Sequence, residues 1–158
     1  MKQFFSMLLF ASLLFFAACS DDDSSTNNGG ADDNITKTTI IFDYSGDASG
    51  SFEATQFPNK TFTNGVLVLT GVSANFNTCG LNFTGINAEG EQTINLTGAS
   101  SVALTLSQGA DVYRSVSGTV EIEVNNTSGI RGTFNCVLEK VSGSNTINIS
   151  GGEFTFKK

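Results

Sequence analysis

The sequence predicts an all-β domain: an antiparallel sandwich of about ten short strands, with a closed barrel as the alternative. Three observations lead there. From Ile35 onward apolar and polar residues alternate with period two, strand-forming Thr, Val, Ile and Phe dominate, and Gly, Asn or Ser breaks the pattern at intervals of about 8–12 residues. No window carries a helical repeat.

Taken in order, the first strands fall at Thr38 to Tyr44 and Gly50 to Thr55. Phe57-Pro58-Asn59-Lys60 reads as a turn, because Pro58 has no N–H to give to a ladder. Gly65 to Leu69, Ser73 to Phe76, Leu81 to Phe83 and Thr93 to Leu96 follow. Val102, Leu104 and Leu106 then alternate with Ala103 and Thr105. In Ser117 to Val124, Val120, Ile122 and Val124 point one way while Thr119, Glu121 and Glu123 point the other, giving one dry and one wet face. Phe134, Cys136 and Leu138 repeat the pattern, as do Ile147, Ile149, Phe154 and Phe156, with Gly151-Gly152 marking a turn or bulge between them. Periodicity is the same in a sandwich and a barrel. A sandwich implies a solid core with function on its loops, whereas a lipocalin-like barrel holding an apolar ligand requires inward residues too small to fill it.

The N-terminus reads as a processing signal. Met1 to Cys19 has one lysine, an apolar run too short to cross the roughly 30 Å of a bilayer, and two alanines before a cysteine. Phe15-Phe16-Ala17-Ala18-Cys19 resembles the lipobox of bacterial lipoproteins. That resemblance implies cleavage between Ala18 and Cys19, a diacylglyceryl group on the Cys19 thiol and acylation of the new amino group. Two or more acyl chains, at about 0.8 kcal/mol per buried methylene, hold a protein durably on a membrane. Ser20-Asp21-Asp22-Asp23 resembles the acidic export signal of surface lipoproteins of the Bacteroidota, in its flavobacterial form, and implies display on the outer leaflet of the outer membrane. The chain thus divides into a signal peptide (1–18), a lipidated cysteine with an acidic tether too polar to order itself (19–35), and one β domain (36–158).

Composition limits the chemistry. The 158 residues contain no His, which removes imidazole from general-base work, from Ser-His-Asp and Cys-His nucleophiles and from the usual zinc sites. A net charge of −7 with no Lys/Arg cluster speaks against nucleic acid. Cys79 and Cys136 share parity with core-facing neighbours, so both point inward; in an exported protein a disulfide is the expectation, contributing about 4 kcal/mol for a loop of that size.

Other candidates carry weaker signals. Asp43 and Asp47, in Asp43-Tyr44-Ser45-Gly46-Asp47, offer oxygens of the kind calcium takes, but match no full calcium loop and suit a hairpin turn equally. Glu121 and Glu123, two apart on one strand, suggest a carboxylate pair for glycoside cleavage, but they share a solvated face and read as wet-face charges. Arg114 and Arg131, the two arginines, read as loop-side residues. Seven Asn-x-Ser/Thr sequons, at Asn34, Asn59, Asn82, Asn95, Asn125, Asn126 and Asn148, reflect the Asn and Thr richness of turns and strand faces. A carbohydrate-binding module has little to stack with: there is no Trp, only Tyr44 and Tyr113, and the phenylalanines of the β domain mostly sit at core parity.

Gly129-Ile130-Arg131-Gly132-Thr133-Phe134 and Ile147-Asn148-Ile149-Ser150-Gly151-Gly152-Glu153-Phe154 resemble the closing strands of small Bacteroidota lipoprotein domains of unknown function. No activity follows from that likeness. The expectation is a lipid-anchored, surface-exposed outer-membrane lipoprotein that binds or builds rather than catalyses, with no cofactor and no metal, and with an extracellular or envelope partner.

Overall fold

The computed structural model describes residues 34–107 and 111–158. The lipobox and export residues Ala18, Cys19, Ser20, Asp21, Asp22 and Asp23 lie outside the described residues. Nine strands follow one another: β1 (Thr39–Gly46), β2 (Gly50–Thr63), β3 (Val66–Ser73), β4 (Thr78–Phe83), β5 (Gln92–Asn95), β6 (Ser101–Leu106), β7 (Asp111–Asn125), β8 (Gly129–Lys140) and β9 (Thr146–Lys157).

They form a closed barrel and not the expected sandwich. Every pairing is antiparallel, and the order β7-β6-β4-β3-β2-β1-β9-β8 returns to β7 through a β7–β8 ladder, so eight strands make a ring. Short β5 lies beside the ring, on the half of β7 that β6 leaves unpaired: β6 takes Asp111 to Arg114 and β5 takes Thr119 to Ile122. Closure satisfies the backbone donors and acceptors that two sandwich sheets would leave along their edges.

The strands are fewer and longer than the periodicity suggests, because bulges let one strand bend where the sequence seems to stop. β2 runs 14 residues straight through Pro58. Its register slips between Gln56 and Asn59, so Pro58 sits in a bulge where its missing N–H leaves no ladder partner wanting. β7 slips twice, around Val116 and around Glu123. β9 holds its extra residue near Gly151 (φ 67°), which shifts its register against β1 and β8 alike. The Gly151-Gly152 pair is therefore a bulge inside one strand.

Alternation puts the apolar side chains inside. β3 alternates half-buried and buried along its whole length, with Leu67 and Leu69 fully buried. Phenylalanines fill the interior: Phe42 stacks on Phe52 at 4.9 Å and meets Phe134 edge-on at 5.7 Å, while Phe83 meets Phe154 at 5.4 Å. Phenylalanine and branched aliphatic side chains together form one buried cluster inside the ring.

Up-and-down topology gives the barrel two distinct ends. The chain enters at one of them, where the Ile35 N–H donates to Ser128 Oγ at 2.9 Å and Ile35 is buried. Ile86 and Leu96, from the segment flanking β5, help plug this end, and Lys158 Nζ donates there to Asn125 Oδ1 and the Asn126 carbonyl. The turns β1–β2, β3–β4 and β8–β9, the end of β6 and the start of β7 gather at the other end.

Candidate functional site

The end remote from chain entry holds a cleft of about 380 Å³. Three connections build it. Tyr44 and Gly50 come from the β1–β2 hairpin, Asn75 and Asn77 from the β3–β4 turn, and Leu106 and Ser107 from the end of β6. Among the described residues that line it none is charged.

Each wall is fixed by local chemistry. Tyr44 pairs with Gly50 across the hairpin, and a β-carbon on Gly50 would stand 2.8 Å from the Tyr44 hydroxyl, so the ring lies over the bare glycine. In the β3–β4 turn the Phe76 N–H donates to the Ser73 carbonyl at 2.9 Å and the Ser73 N–H to the Asn77 carbonyl at 2.9 Å. A second support comes from the Asn77 N–H, which donates to Ser73 Oγ at 3.2 Å. Ser107 ties this turn to β6: its N–H donates to Asn77 Oδ1 at 3.0 Å and its hydroxyl to the Asn75 carbonyl at 2.7 Å. Opposite, Asp47 clamps the β1–β2 turn to the start of β9, its carboxylate accepting from the Thr146 N–H and its own N–H donating to the Thr146 carbonyl at 3.0 Å. That clamp is the role the structure gives Asp47; Asp43 lies exposed on β1, and no group of three or more metal-binding side chains occurs among the described residues.

Phe76 is the residue the sequence reading places wrongly. Read as the end of a strand, it stands instead at the tip of the β3–β4 turn, 79% exposed, between two residues of the cleft. Its φ of 60° lies in the left-handed region that favours Gly or Asn. The signal available was the run Ala74-Asn75-Phe76-Asn77, whose two asparagines are turn formers around a residue that pairing then leaves outside.

The remaining candidates fall elsewhere. Tyr113 is buried in the core, so Tyr44 alone of the two tyrosines reaches the cleft. Glu121 and Glu123 are exposed on the outer wall beside Glu91, as a wet face requires. Both arginines lie within strands and not loops: Arg131 on β8 faces Glu123 at 3.4 Å, and Arg114 on β7 sits opposite Glu139.

The expected Cys79–Cys136 bridge is not formed; each cysteine is a separate buried thiol. Their shared parity does point both inward, but from β4 and β8, which β6 and β7 separate in the wall. A disulfide needs a specific Cβ–S–S–Cβ geometry, and no ladder register between β4 and β8 imposes it, although the Cys136 charge reaches Cys79 across the interior. Burial pushes the Cys136 thiol up to about 12, and burial together with the Cys136 thiol raises Cys79 further. Thiols held neutral in this way are poor nucleophiles.

Fold and site together define a closed antiparallel barrel with a neutral, polar cleft at the end remote from chain entry. Compared with family models, with curated proteins and with solved structures, the chain matches none.

Proposed function

We propose that the chain is a lipid-anchored lipoprotein exposed on the outer membrane, and that its barrel is a non-catalytic binding module using the cleft at the free end. The observation that carries the reading is polarity along the barrel axis. The described chain enters beside Ser128, at the end opposite the cleft, so a partner that reaches the cleft does not meet the chain entry. The non-catalytic role rests on chemistry: the cleft offers hydroxyls, amides and a phenol, with neither an acid–base pair nor an activated nucleophile among its described residues.

The test is protease shaving of intact cells carrying wild type or the Cys19→Ala variant, with palmitate labelling of both. The expected result is a labelled wild type that is cut and an unlabelled variant. Label without cleavage, beside a surface control that is cut, moves the protein to the inner face of the outer membrane. An unlabelled wild type overturns the lipoprotein reading.

A further inference from the structure

We propose that the free-end cleft binds a neutral saccharide, hydrogen-bonded by the Asn75 and Asn77 side chains and the serine hydroxyls and stacked against Tyr44 in the lining, with the exposed Phe76 ring on the adjoining turn as an outer contact. This rests on the reading of the barrel as a binding module and names its ligand class.

Elimination by chemistry comes first. An anion needs a cationic partner, and the described lining has none; at the same end Lys140 is already paired with Asp111 at 2.8 Å. A cation needs a carboxylate in the lining, and none is there. A purely apolar ligand would leave the amides and hydroxyls of the lining without water, at a loss for each. What remains is an uncharged molecule with many hydroxyls and some apolar surface. A pyranose ring is that molecule: its hydroxyls give and accept hydrogen bonds, and its C–H face lies flat on an aromatic ring.

Phe76 is the independent observation. A phenylalanine that is 79% exposed does nothing for the core, and its left-handed backbone is one that a β-carbon disfavours. Glycine would suit that position better in every structural respect. The ring is instead exposed on the turn whose Asn75 and Asn77 line the cleft, so an aromatic surface and amide groups occur on one short segment, the combination that sugar recognition uses. The hydrogen bonds from Ser107 to Asn77 Oδ1 and to the Asn75 carbonyl hold the turn and the Asn77 amide in place before any ligand arrives, which limits the ordering lost on binding.

The experiment uses the full chain in detergent micelles, screened against immobilised neutral hexasaccharides of glucose, mannose, xylose and galactose, with polygalacturonate and heparin as anionic controls. The expected result is retention of at least one neutral oligosaccharide. Binding should weaken at least tenfold in Phe76→Gly, a variant whose fold is not at risk because it relieves the backbone, and stay unchanged in Glu121→Gln on the outer wall. No retention of any neutral sugar by folded wild type overturns the proposal, as does retention indifferent to Phe76→Gly or selective for the anionic controls. Capture of an envelope protein through Phe76, with no sugar bound, overturns it too and keeps the cleft as a protein site. Failure here leaves the shaving result untouched, and a Cys19→Ala protein that binds sugar without being displayed would separate the two readings.

Discussion

Phe76 carries a testable energetic signature as well as a functional one. Holding a β-carbon at φ 60° is unfavourable by roughly 1 kcal/mol, so Phe76→Gly should raise the free energy of unfolding by up to about that amount, read from urea denaturation midpoints. A loss of stability would show that the exposed ring packs against the turn after all. The two cysteines make a second residue-scale prediction. With a folded pKa raised above the ordinary 9.0, the thiols favour the folded state fully below pH 9. Above it the unfolded chain sheds protons that the folded chain keeps. Stability should therefore fall as the pH climbs from 9 toward 12, with each thiol contributing up to about 1.4 kcal/mol for every pH step of one. Cys136→Ala should flatten that fall. Thiol titration without reductant should find Cys79 and Cys136 silent in the native protein and both reactive once it is unfolded; zero reactive thiols would reinstate the bridge. Parity in the sequence was enough to send both cysteines inward. Which wall faces which is a property of closure, and no local pattern encodes it.

Two strands explain a motif that the sequence displays without explaining. Gly132-Thr133-Phe134 and Gly152-Glu153-Phe154 lie on β8 and β9, and the register sets Gly132 against Phe154 and Phe134 against Gly152. Each phenyl ring therefore covers the partner's glycine: a β-carbon on Gly152 would stand 2.6 Å from the Phe134 ring, and one on Gly132 3.0 Å from the Phe154 ring. The glycines are needed for the space they leave. Gly152→Ala should destabilise by roughly 1–3 kcal/mol, the range for overpacking a filled core, measured by thermal and urea melts. Phe134→Ala should cost about 3–5 kcal/mol by leaving a cavity. An alanine at Gly152 with wild-type stability would mean that the Phe134 ring swings away freely. Most strands were legible from alternation because burial imposes it directly. The boundaries within β2, β7 and β9 were not: Pro58, Val116 and the Gly151 bulge interrupt the alternation while the backbone continues, so each looks like an end from the side chains alone.

For the molecule as a whole, sandwich and barrel differ in one measurable respect. A sandwich exposes edge strands whose amides exchange quickly, whereas here β1 pairs with β2 and β9, and β8 with β7 and β9. Amides of β1 and β9 facing their mutual seam should thus exchange as slowly as those of β3 and β4, by hydrogen-exchange NMR. Fast exchange confined to β1 and β9 would mean that the seam opens. The cleft needed this closure to be seen at all. Tyr44, Asn75 and Ser107 are far apart in the chain and become neighbours only at one end of the closed barrel; sequence reading weighed Tyr44 as a stacking ring and gave Asn75 and Ser107 no ligand role.

The seam also has a consequence in time. It joins the first strand to the last, with Thr39 Oγ1 hydrogen-bonded to Thr155 Oγ1 across 116 positions at 2.8 Å. Synthesis proceeds from the N-terminus, so β1 and β8 wait, each with one flank unpaired, until the final segment exists to lie between them. Contacts so distant in sequence slow folding, because a long loop must close before they return anything. A chain that ends early, before Thr146, would lose more than its last strand: it would keep two adhesive flanks with nothing to cover them, and its fate would be to pair with other copies of itself.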